Sequence, residues 1–167
     1  DMTLTHGDKK HFVCPFCGYD GPLDLMGADR FPILQKLKVI GAGRRSARCP
    51  NCKSSDKERL VYTYLKEVED IGHLKDLSIL HIAPENNLQK WVESISSNYV
   101  AGDAFLQNQT FMGEVQFVDI RQTDFSDNMF DYIICNHVIC DIKEDRKALS
   151  EIFRILKTGG KAIVQVP

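Results

Sequence analysis

Cys14-Pro-Phe-Cys17-Gly and Cys49-Pro-Asn-Cys52 each set two thiols two residues apart. At that spacing both sulfurs of a knuckle reach one cation while nearby amides donate to them, and two knuckles complete the tetrahedron that Zn2+ prefers. A single Cys-x-x-Cys also suits a redox pair, but two with flanking prolines are not easily explained that way. Four thiolates close the coordination sphere and leave no position for a reacting water. The residues therefore predict a structural zinc site on Cys14, Cys17, Cys49 and Cys52. Cys135, inside an apolar run, reads as a small buried hydrophobe, and Cys140, which follows that run, is not expected to be catalytic.

A second set of chemically capable side chains falls at the ends of apolar runs. His81-Ile82-Ala83-Pro84-Glu85 ends the first, Asp103 the second, Asp119-Ile120 the third and Asn136-His137 the fourth. In an open parallel sheet, ligands sit beyond the carboxyl ends of the strands, at the topological switch point, so these positions are the candidates for a binding rim. Asp103 stands about 20 residues beyond the first turn, the distance at which a carboxylate can accept both hydroxyls of a ribose. Each residue also has a plainer reading. Asp103 can simply terminate a strand, Asp119 cap a turn, and Glu85 sit at a helix N-terminus favoured by the dipole. His81 and His137 can be hydrogen-bonded structural histidines. Gly41-Ala42-Gly43 lies between the knuckles, precedes no strand-to-helix turn, and is not read as a phosphate loop.

The elements that must hold these groups follow from periodicity. Residues 1–12 are a polar lead-in, and 13–54 enclose the knuckles. Ser55-Asp56-Lys57-Glu58 fits a capping box. After it, Leu60, Val61, Tyr64, Leu65 and Val68 recur at helical spacing, predicting a helix over 56–69 that ends at Ile71-Gly72. Strands are expected at 77–82, 98–102, 115–120 and 131–136, the last apolar throughout as in a strand buried on both faces. Helices are expected at 87–96, with Leu88, Trp91, Val92 and Ile95 on one side, and at 145–156, with Ala148, Leu149, Ile152, Phe153 and Leu156 as its stripe. Lys157-Thr158-Gly159-Gly160 stops that helix, and 161–166 begin a fifth strand. Strands alternating with helices imply crossover units and a mainly parallel sheet. The domains expected are 1–54, a zinc-ribbon-like module, and 55–167, an α/β domain.

A hydrophobic share of 43% with 26% charged residues is the profile of a folded chain rather than a disordered one. No apolar run reaches the roughly 18 residues that would cross a bilayer. No signal-peptide core precedes the six cysteines, which argues against a disulfide framework and for a cytoplasmic protein. The net charge of -2 hides a basic first segment, where 11 Lys and Arg face 7 Asp and Glu up to residue 60. That excess, including Arg44, Arg45 and Arg48, allows a nucleic-acid partner, though a solvated face is the plainer explanation.

The chain resembles class I S-adenosylmethionine-dependent methyltransferases that carry an N-terminal zinc-ribbon-like segment. The resemblance spans roughly residues 13–167 and rests on CPFCG, CPNCKSSDKERLVYTYL, ILHIAPE, YVAGD, VDI followed by TDFSDNMFDYIICNHVI, and RKALSEIFRILKTGGKAIVQVP. Thr158 replaces the usual proline of that last block. The resemblance implies a Rossmann-like, mainly parallel sheet, truncated here after the fifth strand, where the family continues with a helix and an antiparallel pair. It further implies S-adenosylmethionine as cofactor, bound by His81, Ala83, Pro84, Glu85, Asp103, Asp119, Ile120 and Asn136. Asp103 would take the ribose and Asp119-Ile120 the adenine. The Ala83-Pro84-Glu85 turn departs from the Gly-x-Gly pattern and matches a subgroup in which Glu85 could face the cofactor's ammonium. No catalytic side chain is obligatory, with His137 the leading general-base candidate. The methyl acceptor is left unassigned. Two rival readings are a nucleic-acid-binding protein gripping through its zinc module and a non-catalytic cofactor-binding protein. An exposed sheet edge would also favour self-association.

Overall fold

Short apolar runs rich in β-branched residues become the central strands. Ser78–Ile82 (SILHI) forms β3 and Phe130–Asn136 (FDYIICN) forms β6, both almost wholly buried. In the computed structural model, which describes residues 12–27, 32–37, 45–69, 75–108, 111 and 113–167, the chain divides into two compact units, 1–59 and 60–167. The boundary falls inside a helix.

The first unit contains β1 (Asp24–Met26), the short helix α1 (Pro32–Lys36) and β2 (Arg45–Arg48), with β1 and β2 antiparallel. It ends with the first turn of α2 (Asp56–Glu67). The expected capping box forms by half: the Ser55 N–H donates to Glu58 Oε1 at 2.6 Å, but the Ser55 hydroxyl has no hydrogen-bond partner. The polar lead-in up to His11, Gly41-Ala42-Gly43, Arg44 and the Ile71-Gly72 helix stop lie outside the described residues.

The second unit is a five-stranded sheet of order β5 (Gln116–Phe117), β4 (Asn98–Asp103), β3, β6, β7 (Leu156–Gln165), parallel at every pairing. Between β3 and β4 runs α3 (Asn86–Ile95), and between β6 and β7 runs α4 (Asp145–Ile155). The order reverses at β3, which pairs with β4 on one side and β6 on the other. This is the Rossmann-like arrangement, and its switch point lies between the ends of those strands. Leu80, Ile82, Ile133 and Cys135 pack on Ala148, Ile152 and Ile155 of α4 to form the core.

Four expectations need correction. The third strand, expected over 115–120, shrinks to β5 (Gln116–Phe117), because after Val118 N–H bonds the Asp103 carbonyl the chain turns away from the sheet. The fifth strand starts five residues early, and its register jumps from Phe130↔Leu156 to Tyr132↔Lys161. Lys157–Gly160 therefore bulge out of the ladder, with Gly159 at φ +82°. A Cβ on Gly160 would stand 2.9 Å from the Lys157 carbonyl oxygen. The stripe of α4 is narrower than predicted: Ala148, Ile152 and Ile155 are buried, whereas Leu149 and Phe153 are exposed. On α2, Val61, Tyr62 and Leu65 are buried while Leu60, Tyr64 and Val68 face out. Periodicity marks a stripe to within about one helical position, and the partner surface decides its centre. Among the described residues, no helix is long and apolar enough to cross a membrane.

Candidate cofactor site and metal centre

The two knuckles are built alike. In each, the first cysteine's carbonyl accepts from the residue after the second cysteine, Gly18 at 2.9 Å and Lys53 at 3.0 Å. Those two residues adopt the left-handed conformation, at φ +69° and +63°. The first cysteine's N–H then closes a further turn, Cys14 to the Tyr19 carbonyl and Cys49 to the Ser54 carbonyl. The four sulfurs all lie within 4.8 Å of one another, with Cys14 to Cys52 at 3.6 Å and Cys17 to Cys49 at 3.7 Å. Sulfurs held ~2.3 Å from one centre at tetrahedral angles stand about 3.8 Å apart, so the spacing suits a four-thiolate cation site.

Burial opposes ionisation of Cys17. Hydrogen bonds from the Tyr19 backbone and from the Asn51 and Cys52 side chains outweigh it and bring that thiol down to about 6. Burial pushes Cys52 the other way, up to about 12. Thiols this close cannot all ionise unless a cation offsets their repulsion. Arg59, 7% exposed, braces the second knuckle by donating to the Ser54 carbonyl at 2.5 Å and the Ala47 carbonyl at 2.7 Å. It follows the capping box in the helix expected over 56–69, and only the fold reveals its role. Of the predicted basic patch, Arg45 is bonded to Asp56 at 2.7 Å and Arg48 lies 3.9 Å from Asp24.

A cleft of about 430 Å³ opens at the carboxyl ends of the parallel strands. It brings together Ala83, Asp103, Asp119, Ile120 and His137, drawn from four strand exits. Ile82, Val118 and Val138 supply apolar wall, and Phe105, 66% exposed, stands at its edge. Two wall residues are strained: Ala83 at φ +50° and His137 at φ +54°. Non-glycine residues take that conformation at a cost of about 1–2 kcal/mol each, and such strain gathers at functional sites. Asp103 is 2% exposed and its Oδ1 accepts the Phe105 N–H at 2.6 Å. Gly102, just before it, lies so near Val118 that an added Cβ would meet Cγ2 at 2.4 Å. Asp119 is engaged by Arg121, whose guanidinium hydrogen bonds lower its carboxyl below the usual range.

His81, Glu85 and Asn136 do not line this cleft. They form a buried network on the opposite face of the sheet from α4. His81, fully buried, has Nδ1 3.0 Å from the Tyr99 hydroxyl and Nε2 3.1 Å from Glu85 Oε2. Asn136, 2% exposed, donates from Nδ2 to the same Glu85 oxygen at 3.2 Å. Burial raises the Tyr99 hydroxyl far above its usual range, so it stays a neutral donor. Pro84, between Ala83 and Glu85, is buried in the same turn. Cys135 is buried as expected, and burial pushes its thiol up to about 12. Cys140 is exposed. Tyr99 carries no signal in the sequence, because its hydroxyl matters only through His81 on the neighbouring strand.

Residues 87–164 match the family model described as a methyltransferase domain. Among solved structures, a Bacillus halodurans protein described as a candidate methyltransferase aligns at 20% identity and TM-score 0.45. That alignment covers 57% of this chain and 50% of that one. The YcgJ protein of Bacillus subtilis aligns at 21% identity and TM-score 0.44, over 54% of this chain and 44% of that one. A candidate S-adenosyl-L-methionine-dependent methyltransferase of Methanococcus maripaludis aligns at 16% identity and TM-score 0.47, over 65% and 54%. The chain thus spans about half the length of these relatives. No curated protein matches it in sequence.

Proposed function

We infer from the methyltransferase domain at residues 87–164 that this chain binds S-adenosylmethionine at the rim of its parallel sheet and transfers the methyl group to an acceptor nucleophile. The observation that carries the reading is the cleft itself, in which Ala83, Asp103, Asp119, Ile120 and His137 converge from four separate strand exits. The fit of the cofactor is supported by Asp103, a buried carboxylate at the end of β4 that lines the cleft.

S-adenosylmethionine, when bound, supplies a methyl group already activated on its sulfonium. The chain's residues align and enclose it. Asp103 accepts the ribose hydroxyls, as a buried carboxylate at the end of β4 can. Ile82, Val118 and Ile120 receive the adenine ring between apolar walls, and Asp119 accepts from its exocyclic amine. His137, on a strained turn facing the cleft, is the residue available to take the acceptor's proton as the new bond forms. Pre-alignment and exclusion of water supply the rate, so no nucleophilic side chain is needed.

The same proposal assigns a structural Zn2+ to Cys14, Cys17, Cys49 and Cys52, supported by the tetrahedral sulfur spacing. It also assigns the protein to the cytoplasm, where thiols stay reduced and available to a metal. Calorimetric titration of S-adenosylhomocysteine into the wild-type chain and into Asp103→Ala tests the cofactor site. Micromolar binding weakened at least about tenfold by the substitution is expected, since hydrogen bonds to a charged group contribute about 1.5–3 kcal/mol. Absence of heat with the wild type would sink the reading.

A further inference from the structure

Ser54, two residues beyond the second knuckle, is fully buried. Its Oγ stands 3.2 Å from Cys52 Sγ and 3.5 Å from Cys14 Sγ, one sulfur from each knuckle. Arg59 Nη1 donates to the same oxygen at 3.1 Å. A guanidinium offers donors only, so it takes a lone pair of the hydroxyl and leaves the O–H proton for a sulfur. A thiolate carries no proton, so beside ionised cysteines the hydroxyl must be the donor. Cys14 and Cys52 are themselves 3.6 Å apart, which puts both sulfurs within reach of that one proton.

A divalent cation among four thiolates leaves a centre that is doubly negative, and burying such charge is costly unless donors and a cation offset it. Arg59 supplies the cation. Its other bonds run to the Ser54 and Ala47 carbonyls, and its guanidinium lies 5.0 Å from the centre of the Phe12 ring. Those acceptors are uncharged, so they leave the guanidinium's charge to act on the sulfurs. The start of α2 sets this placement: the Arg59 N–H bonds the Ser55 carbonyl at 3.3 Å, in the first turn of the helix. A side chain there leans toward the helix N-terminus, back over the knuckle. We propose that Ser54 is a positioning residue for the metal centre, its hydroxyl donating to the Cys52 and Cys14 thiolates, and that Arg59 orients this hydroxyl and offsets the centre's negative charge. The assignment rests on the four-thiolate zinc reading above. Partners of this kind, outside the coordination sphere, commonly fix the direction and basicity of the ligands.

Two readouts on the full chain test this: zinc affinity by competition with a chelator, and the thiolate-to-metal charge-transfer band of the Co2+-loaded protein. Ser54→Ala should weaken zinc about 10–100-fold, the usual cost of losing a partner of a metal ligand. It should also move the Co2+ band to longer wavelength, because a thiolate relieved of a donor gives up its electrons more readily. Ser54→Thr, which keeps the hydroxyl, should restore both. Arg59→Met, similar in length but uncharged, should move the band in the same direction as Ser54→Ala. Wild-type zinc affinity and an unmoved band in Ser54→Ala would overturn the proposal. So would a loss of affinity with an unmoved band, which would assign Ser54 to packing alone. Should Ser54→Ala take up no metal, recovery in Ser54→Thr would support the hydroxyl's role and its absence would refute it. Failure of the wild-type chain to bind zinc would instead remove the four-thiolate reading on which the assignment stands.

Discussion

Arg121 engages both oxygens of Asp119: Nε stands 2.9 Å from Oδ1, Nη2 stands 2.6 Å from Oδ2, and the Arg121 N–H adds a third donor at 3.0 Å. Nη1 reaches Glu144 Oε2 at 3.5 Å, at the start of α4. The guanidinium therefore crosses the cleft from the β5 exit to the α4 entrance. A carboxylate with about four acceptor positions has little room left for an adenine amine. Removing the competitor with Arg121→Ala should tighten S-adenosylhomocysteine about threefold, in keeping with the ~0.2–1 kcal/mol of an exposed pair. Calorimetry reads the change, and weaker binding would assign Arg121 to the ligand instead.

Acid should loosen the second unit through two carboxylates. The Lys161 ammonium, with the Tyr132 and Tyr64 hydroxyls, holds Glu69 at about 2 against an ordinary 4.5. The Arg154 guanidinium, with Thr123, holds Glu151 at about 2 against the same value. Each is depressed in the folded state, so its stabilisation is present above pH 4.5 and is lost as pH falls from there toward 2. The melting temperature should decline across that window, and Glu151→Gln should flatten the decline. An identical slope in the variant would show that Glu151 contributes nothing to it.

Metal removal should act on the first unit. Zinc binding contributes on the order of 10–16 kcal/mol in small cysteine modules and largely replaces a hydrophobic core. Chelation, or Cys49→Ser, should therefore expose residues 12–27 and 45–55 to protease while the parallel sheet stays protected. Elemental analysis should find close to one zinc per chain, and protection of the knuckles in metal-free protein would overturn the assignment.

Gly102 has no room for a side chain. An alanine methyl at this position would stand 2.4 Å from Val118 Cγ2 and 2.6 Å from Val118 Cβ, so Gly102→Ala must push β4 and β5 apart beside Asp103. Overpacking of this kind costs about 1–3 kcal/mol, measurable by urea unfolding. Val118→Ala in the same chain should restore only part of the loss, because it removes Cγ2 but leaves Cβ 2.6 Å from the new methyl.

The strands, helices and four cysteines could be read from the chain because each is a local pattern. Apolar runs such as 131–136, a 3.6-residue stripe and a Cys-Pro-x-Cys turn all involve neighbours in sequence, whose spacing dictates geometry directly. The rim residues were legible for a related reason: the end of a parallel strand is where a ligand binds, whichever sheet the strand joins. What the local pattern could not decide was which of those residues share a surface. Asp103, Asp119 and His137 meet in one cleft. His81 and Glu85, from the same predicted turn as Ala83, fold away into a network with Tyr99 and Asn136. Exposure of Leu149 and Phe153 on α4 and the shortness of β5 belong to the same class. Those outcomes depend on strand order and register, and pairing of segments tens of residues apart is an energy balance that no local stretch of sequence contains.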